Sequence, residues 1–349
     1  MVFIIAITGC LYAFQDEIQD LTQSYRFVEP QSKAYLLPVE LSGIAKKELP
    51  DKQLHAIKYN EPNRAAEAIF YHYEPTYYYI AYINPYDGSV LHIKNMESGF
   101  FSWVLDGHFY LWLPEEIGQT TVSVFTLIFL FMVISGIILW YPKNKNALQQ
   151  RTRFIWKRST QWKRKNFDLH ALFGFYTSFI AIIFIVTGLV WGFSWWAFGY
   201  YTLMGGEKSL VYEDPYSSKT GILHLQNPLD IIYLKVKSET PNAKSIEIHP
   251  PETDSTSIAV NTNTKTGTYW KIDYRYFDQY TLKEQEVNHI YNRYEHATIA
   301  DKIMRMNYDI HTGAIFGFAG KIFMFLVSLM IASLPITGTL LWWNRNKKN

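Results

Sequence analysis

Three histidines stand at the mouths of apolar runs. His108 lies in "LDGHFYLWLP", His170 in "NFDLHALFGF" and His311 in "NYDIHTGAIFGFAGK". The last two settings are near-copies. Asn, an aromatic, Asp and a branched aliphatic precede the histidine, Gly174 follows His170, and Gly313 and Gly317 follow His311. Polar groups at membrane depth are costly and generally have a partner. A heme iron takes two axial imidazoles from facing helices, and a helix bundle supplies them. Small residues beside the ligand let a flat macrocycle approach the backbone, and Lys165, Lys302 and Arg305 stand near enough in sequence to meet its propionates. Paired imidazoles also hold copper or zinc, but glycine and aromatic surroundings suit a porphyrin better. Taken singly, each histidine has a plainer alternative, an interfacial side chain making an ordinary hydrogen bond. Cys10 is the only cysteine, which excludes an intrachain disulfide and a thiolate cluster.

The elements that must position these residues are membrane helices. Hydrophobic residues make up 48% of the 349-residue chain and aromatics 17%, above what a soluble domain usually carries. Residues 122–141, 169–204 and 322–343 are free of charge and long enough for the roughly 20 residues that cross a hydrocarbon core. Residues 1–14 are equally apolar but short. Between 143 and 165 stand nine Lys/Arg and no Asp/Glu, and the chain ends "NRNKKN". Short basic loops stay cytoplasmic, so the two long polar stretches lie on the far side. Beside membrane helices such a loop is a topology signal, and no nucleic-acid partner is expected.

Four crossings follow, with both termini inside. The first transmembrane helix occupies 1–14, an outer domain 15–106, a juxtamembrane segment and the second helix 107–142, and the basic cytoplasmic loop 143–166. The third helix and an interfacial aromatic segment occupy 167–204, a second outer domain 205–309, the fourth helix 310–343 and a cytoplasmic tail 344–349.

The chain also repeats itself. "AITGCLYAF" at 6–14 aligns with "IVTGLVWGF" at 185–193, and "ISGIILWYPKNK" at 134–145 with "ITGTLLWWNRNK" at 336–347. His311 lies 27 residues before Gly338, and His108 lies 28 before Gly136. His170 lies 17 before Thr187, so its counterpart would fall about ten residues upstream of Met1. Together with the short first run, this leads us to expect a chain lacking the start of its first helix. Parallel repeats of this kind place functional sites between the halves.

In the outer stretches, "KQLHAIKYN", "EAIFYHYEP" and "YYYIAYINP" read as strands, as do "KSIEIHPPE", "TSIAVNTNT" and "TYWKIDYRY". "NPYDG" and "NTKTGT" are the turn signals. "VELSGIAKKEL" and "QNPLDIIYLKV" read as accompanying helices. His55, His72, His92, His224, His249, His289 and His296 fall here. His289 and His296 are seven apart, so a helix there would put them on one face, either a solvated one or a metal or substrate site.

The [FY]-D-[LI]-H pattern, "HTGAIFGFAGK" leading to "ITGTLLWWNR", and "DGHFYLWLP" followed by "SGIILWYP" resemble the PepSY-associated transmembrane family across all four predicted helices. The outer stretches resemble PepSY domains in length and in "NPYDGSVL". The resemblance implies a membrane α-helical bundle of four transmembrane helices with two periplasmic α+β PepSY-like domains and an internal two-fold repeat. It implies histidine-ligated heme b, one or two groups, carrying electrons across the bacterial inner membrane to reduce a ferric siderophore or other iron chelate. The ligand positions carried over are His108, His170 and His311. His108 and His311 would share an outer heme, while His170 would hold an inner one whose second ligand is absent from this chain. The expected partners are inner-membrane lipids, the iron chelate and a cytoplasmic electron donor. A second reading is a membrane-anchored PepSY module that regulates a periplasmic protease, without redox activity.

Overall fold

The computed structural model of the protein describes residues 1–142, 144–153, 156–219 and 224–346. Lys143, Phe154 and Ile155 of the basic loop and residues 347–349 of the tail therefore lie outside the described residues. In chain order the elements are α1 (Val2–Tyr12), α2 (Gln15–Thr22), α3 (Pro38–Glu48), β1 (Leu54–Tyr59), β2 (Ala66–His72), β3 (Tyr77–Ile83) and β4 (Val90–Asn95). There follow α4 (Phe100–Tyr110), α5 (Glu115–Trp140), α6 (Lys145–Thr152), α7 (Trp162–Gly192), α8 (Ser194–Leu203) and α9 (Pro228–Glu239). Last come β5 (Ser245–His249), β6 (Ile258–Asn263), β7 (Asp273–Phe277), β8 (Glu284–Gln285), α10 (Ile299–Arg305), α11 (Asn307–Thr312) and α12 (Gly317–Asn346). The chain divides into two compact units, one helical and one built on a sheet.

The helical unit comprises residues 1–15, 100–200 and those from 307 onward. Three of its helices, Glu115–Trp140, Trp162–Gly192 and Ala314–Arg345, are long and apolar enough to cross a membrane. The sequence predicts four crossings; α1, with 11 residues, covers about 16 Å at 1.5 Å per residue. Helix α1 packs on α4 and α12, and α7 packs on α5 and α12. Ala6, Ala181, Val327, Ile331 and Ala332 form the buried centre, with Phe129, Val133 and Phe184 against it. Small residues there let the backbones approach closely, as dispersion-driven association in lipid requires.

Two chain reversals aim the short helices. Between α4 and α5, Leu111 and Trp112 adopt φ of 55° and 58°, a region non-glycine residues rarely occupy. The Trp112 indole folds back, stacks on Trp103 at 4.7 Å and donates from Nε1 to the Trp103 carbonyl at 2.8 Å. It lies where a side chain on Gly107 would stand, since a Cβ there would meet Trp112 at 2.4 Å. Between α11 and α12, Gly313 and Gly317 take φ of 80° and 66°. Both glycines thus serve to reverse the backbone ahead of α12.

In the second unit all eight strands form one antiparallel sheet, ordered β4-β3-β2-β1-β5-β6-β7-β8. Both polar stretches contribute four strands, joined where Ile57, Lys58 and Tyr59 of β1 face Ile248, Glu247 and Ile246 of β5. Strand residues alternate between faces. Ile57, Phe70, Ile248, Val260 and Phe277 bury one face under Leu41 and Ala45 of α3 and Ile232, Tyr233 and Val236 of α9. Asp230 of α9 accepts the Val39 N–H at 3.0 Å, tying the two covering helices together.

His289 departs from expectation. No helix joins it to His296; it is 2% exposed, its Nε2 meets the Glu213 carbonyl at 3.2 Å, and it packs among Tyr212, Tyr276 and Tyr291. Burial pushes its pKa below the usual imidazole range.

Candidate functional site

Each of the three membrane histidines leans on a threonine of a neighbouring helix. Nδ1 of His108, on α4, lies 3.1 Å from Thr8 Oγ1 and 3.0 Å from the Ile5 carbonyl oxygen, both on α1. Nδ1 of His311, on α11, lies 2.8 Å from Thr187 Oγ1 of α7. Nδ1 of His170, on α7, lies 2.8 Å from Thr337 Oγ1 of α12.

The direction of these bonds follows from counting protons. Thr8 already donates to the Ile4 carbonyl at 2.8 Å, Thr187 to that of Ile183 at 2.6 Å, and Thr337 to that of Ser333 at 3.1 Å. A hydroxyl carries one proton and a carbonyl none, so toward histidine these oxygens accept. Nδ1 is therefore the protonated nitrogen in all three rings. In a neutral imidazole that leaves the lone pair on Nε2, the state in which histidine binds a metal.

Beneath each ring is the glycine that follows its threonine. A Cβ on Gly9 would stand 3.2 Å from His108 Cε1, one on Gly188 3.6 Å from His311 Cε1, and one on Gly338 3.2 Å from His170 Cε1. In α5 the dipeptide Ser135-Gly136 has the same form, and a Cβ on Gly136 would meet nothing within 4 Å.

His108 and His311 face each other. Their ring centroids are 6.3 Å apart and their planes cross at 75°. Metal–imidazole bonds of about 2 Å and a ring radius of about 1.1 Å, from C–N bonds near 1.33 Å, put two imidazoles on one metal about 6.2 Å apart. The observed spacing fits a shared ion.

Both rings line a cavity of about 300 Å³, together with Gly9, Phe109, Gly188 and Trp191. The Trp191 and Phe184 rings stand edge-on to His311 at 5.4 and 5.5 Å. His170 lines a second cavity, of about 680 Å³, with Gly136, Trp140, Gly174 and Phe175. Trp140 and Phe175 stack there at 3.6 Å. Both volumes fall in the range of roughly 300–1,000 Å³ typical of cofactor and ligand sites. Met1, Val2, Phe129 and Ala181 line both cavities. Among the described residues, His170 is the one histidine lining the second cavity.

The cations near these histidines in sequence have other partners. Arg305 donates to the carbonyls of Ile272, Ile290 and Asn292. The ammonium of Lys302 lies over the Tyr294 ring at 4.8 Å, and that of Lys165 is 5.8 Å from the Trp156 ring. What the sequence reading passed over is the role of Thr8-Gly9, Thr187-Gly188 and Thr337-Gly338. Their signal was the recurring Thr-Gly, visible only as part of the repeat. Among the described residues no cluster of three or more His, Cys, Asp or Glu side chains is arranged to hold a metal ion.

No curated protein matches the sequence. The family model described as the PepSY-associated TM region matches residues 1–345, essentially the whole chain, and this multi-pass membrane protein belongs to the PepSY-associated transmembrane family.

Proposed function

We propose that the protein moves single electrons across a bacterial inner membrane and delivers them to ferric chelates on the periplasmic side. In this reading His108 and His311 hold one b-type heme, His170 holds another, and α1 counts as the fourth crossing of a bundle with two-fold internal repetition. The sheet unit, with its PepSY-like halves, then lies in the periplasm, as the basic loop at 143–165 argues. A bound heme would supply reversible one-electron exchange at its iron. The observation that carries the reading is the 6.3 Å spacing of two rings whose Nδ1 atoms are both already engaged.

The chain's own contribution is positioning and exclusion. Threonine and carbonyl oxygens hold the imidazoles in one tautomer, and Phe109, Phe184 and Trp191 keep the first cavity apolar. The proposed substrate is a ferric ion held by hard oxygen donors. On gaining one electron from a cytoplasmic donor it becomes ferrous, a softer ion that such donors bind less tightly, and the cargo loosens.

The test is an absorption spectrum of the detergent-purified chain before and after chemical reduction. A reducible, low-spin, six-coordinate b-type spectrum is expected, and His311→Ala should remove the signal of the His108 site. A colourless protein would overturn the reading and leave the regulatory PepSY module in its place.

A further inference from the structure

Asn166 and Asn307 stand one helical turn before His170 and His311, and both are buried. Asn307 Nδ2 donates to the Thr187 carbonyl at 3.1 Å, while His311 meets the hydroxyl of the same threonine at 2.8 Å. Asn166 Nδ2 donates to the Thr337 carbonyl at 3.0 Å, while His170 meets that hydroxyl at 2.8 Å. Side chains four apart on one helix lie on one face. Here such a pair grips the two oxygens of one residue on the facing helix, and the glycine beyond that residue lets the ring come close.

We propose that Asn307 with Thr187, and Asn166 with Thr337, are positioning residues that aim the metal-binding nitrogens of His311 and His170. The proposal rests on the heme reading above. An imidazole held only at its Cβ turns about χ2, a broad and roughly two-fold torsion, and can exchange its nitrogens. The hydroxyl acceptor fixes which nitrogen carries the proton. The asparagine fixes where along the facing helix the histidine-bearing helix sits. His108 lacks an asparagine one turn back; the Ile5 carbonyl and the α4–α5 reversal take that place.

Outer partners of metal-binding histidines typically change metal affinity 10–100-fold when removed. Thr187→Val keeps the shape and deletes the acceptor, Thr187→Ser keeps the acceptor, and Thr121→Val deletes a hydroxyl of α5 that donates to the Ile117 carbonyl and lines neither cavity. Full-length variants would be titrated with hemin and examined by electron paramagnetic resonance. Thr187→Val should bind roughly 10–100-fold more weakly at the His108–His311 site and shift its g-values, with Thr187→Ser and Thr121→Val close to the parent. Thr337→Val should disturb the His170 signal alone.

Parent-like affinity and g-values in Thr187→Val would overturn the proposal while leaving the heme reading intact; a parent chain that takes up no hemin would sink both. Nitrogen-15 spectra of the heme-free parent give a check independent of any variant's folding. Nδ1–H is expected at His170 and His311, and an Nε2–H resonance at either position refutes the assignment.

Discussion

A hydroxyl whose proton already belongs to the carbonyl one turn back can only accept, and Thr8, Thr187 and Thr337 are all in that state. These acceptors are uncharged, so they orient the imidazole without the added basicity a carboxylate would confer. His170 and His311 were legible because [FY]-D-[LI]-H recurs, and His108 because its distance to Gly136 matches that from His311 to Gly338. Their partners were not, because His108 and Thr8 are 100 residues apart and His311 and Thr187 are 124 apart, and local patterning carries no sign of which helices become neighbours. Arg305 shows the converse error: closeness in sequence suggested a propionate partner, while its guanidinium is occupied by three carbonyls. In the sheet unit, a residue-level prediction concerns Glu247. Burial opposes its charge, but the His249 hydrogen bond and the nearby Lys58 and His55 outweigh this and hold its pKa at about 2. A carboxylate depressed from about 4.3 stabilises the fold above that pH and loses the contribution as pH falls toward 2. Acid unfolding of the sheet unit, followed by circular dichroism, should be less steep in Glu247→Gln, by up to about 2–3 kcal/mol across that window; an unchanged acid limb would refute the linkage.

At the scale of elements, six of the strands and the two covering helices were readable from alternation and turn residues, whereas β4 and β8 were not predicted. "YYYIAYINP" contains β3, "KSIEIHPPE" contains β5 and "QNPLDIIYLKV" opens α9. The reversal between α4 and α5 was not, because it depends on Trp112 folding over a glycine five residues earlier. That contact yields a prediction. A methyl group at Gly107 would stand 2.4 Å from the Trp112 ring, and overpacking of this kind typically costs about 1–3 kcal/mol. Gly107→Ala should therefore lower the thermal midpoint of the detergent-solubilised protein and weaken hemin binding at the His108–His311 site while sparing His170. Trp112→Ala combined with Gly107→Ala should recover part of the loss, since the clash partner is gone. An unaltered midpoint in Gly107→Ala would show that the indole is not held where the structure has it.

At the scale of the whole molecule, charge distribution governs topology. Ser159 lies in the basic loop and is exposed, and Asp254 is exposed in the sheet unit. With Cys10 replaced by serine, Asp254→Cys should react with an impermeant thiol reagent in intact spheroplasts and Ser159→Cys should not. Labelling of the Ser159 position from outside would invert the proposed direction of electron flow. The seam between β1 and β5 has a consequence in time. β1 ends at Tyr59 and its partner at His249, so about 190 residues must be made between them. At about 5–20 residues per second this is roughly 10–40 s of synthesis. Throughout that interval the first half presents β1 as an open edge, a ready template for pairing with another nascent chain. Once β5 pairs with it β1 becomes a central strand, so exposure of this edge is confined to that interval, and any helper that shields nascent chains would matter most there.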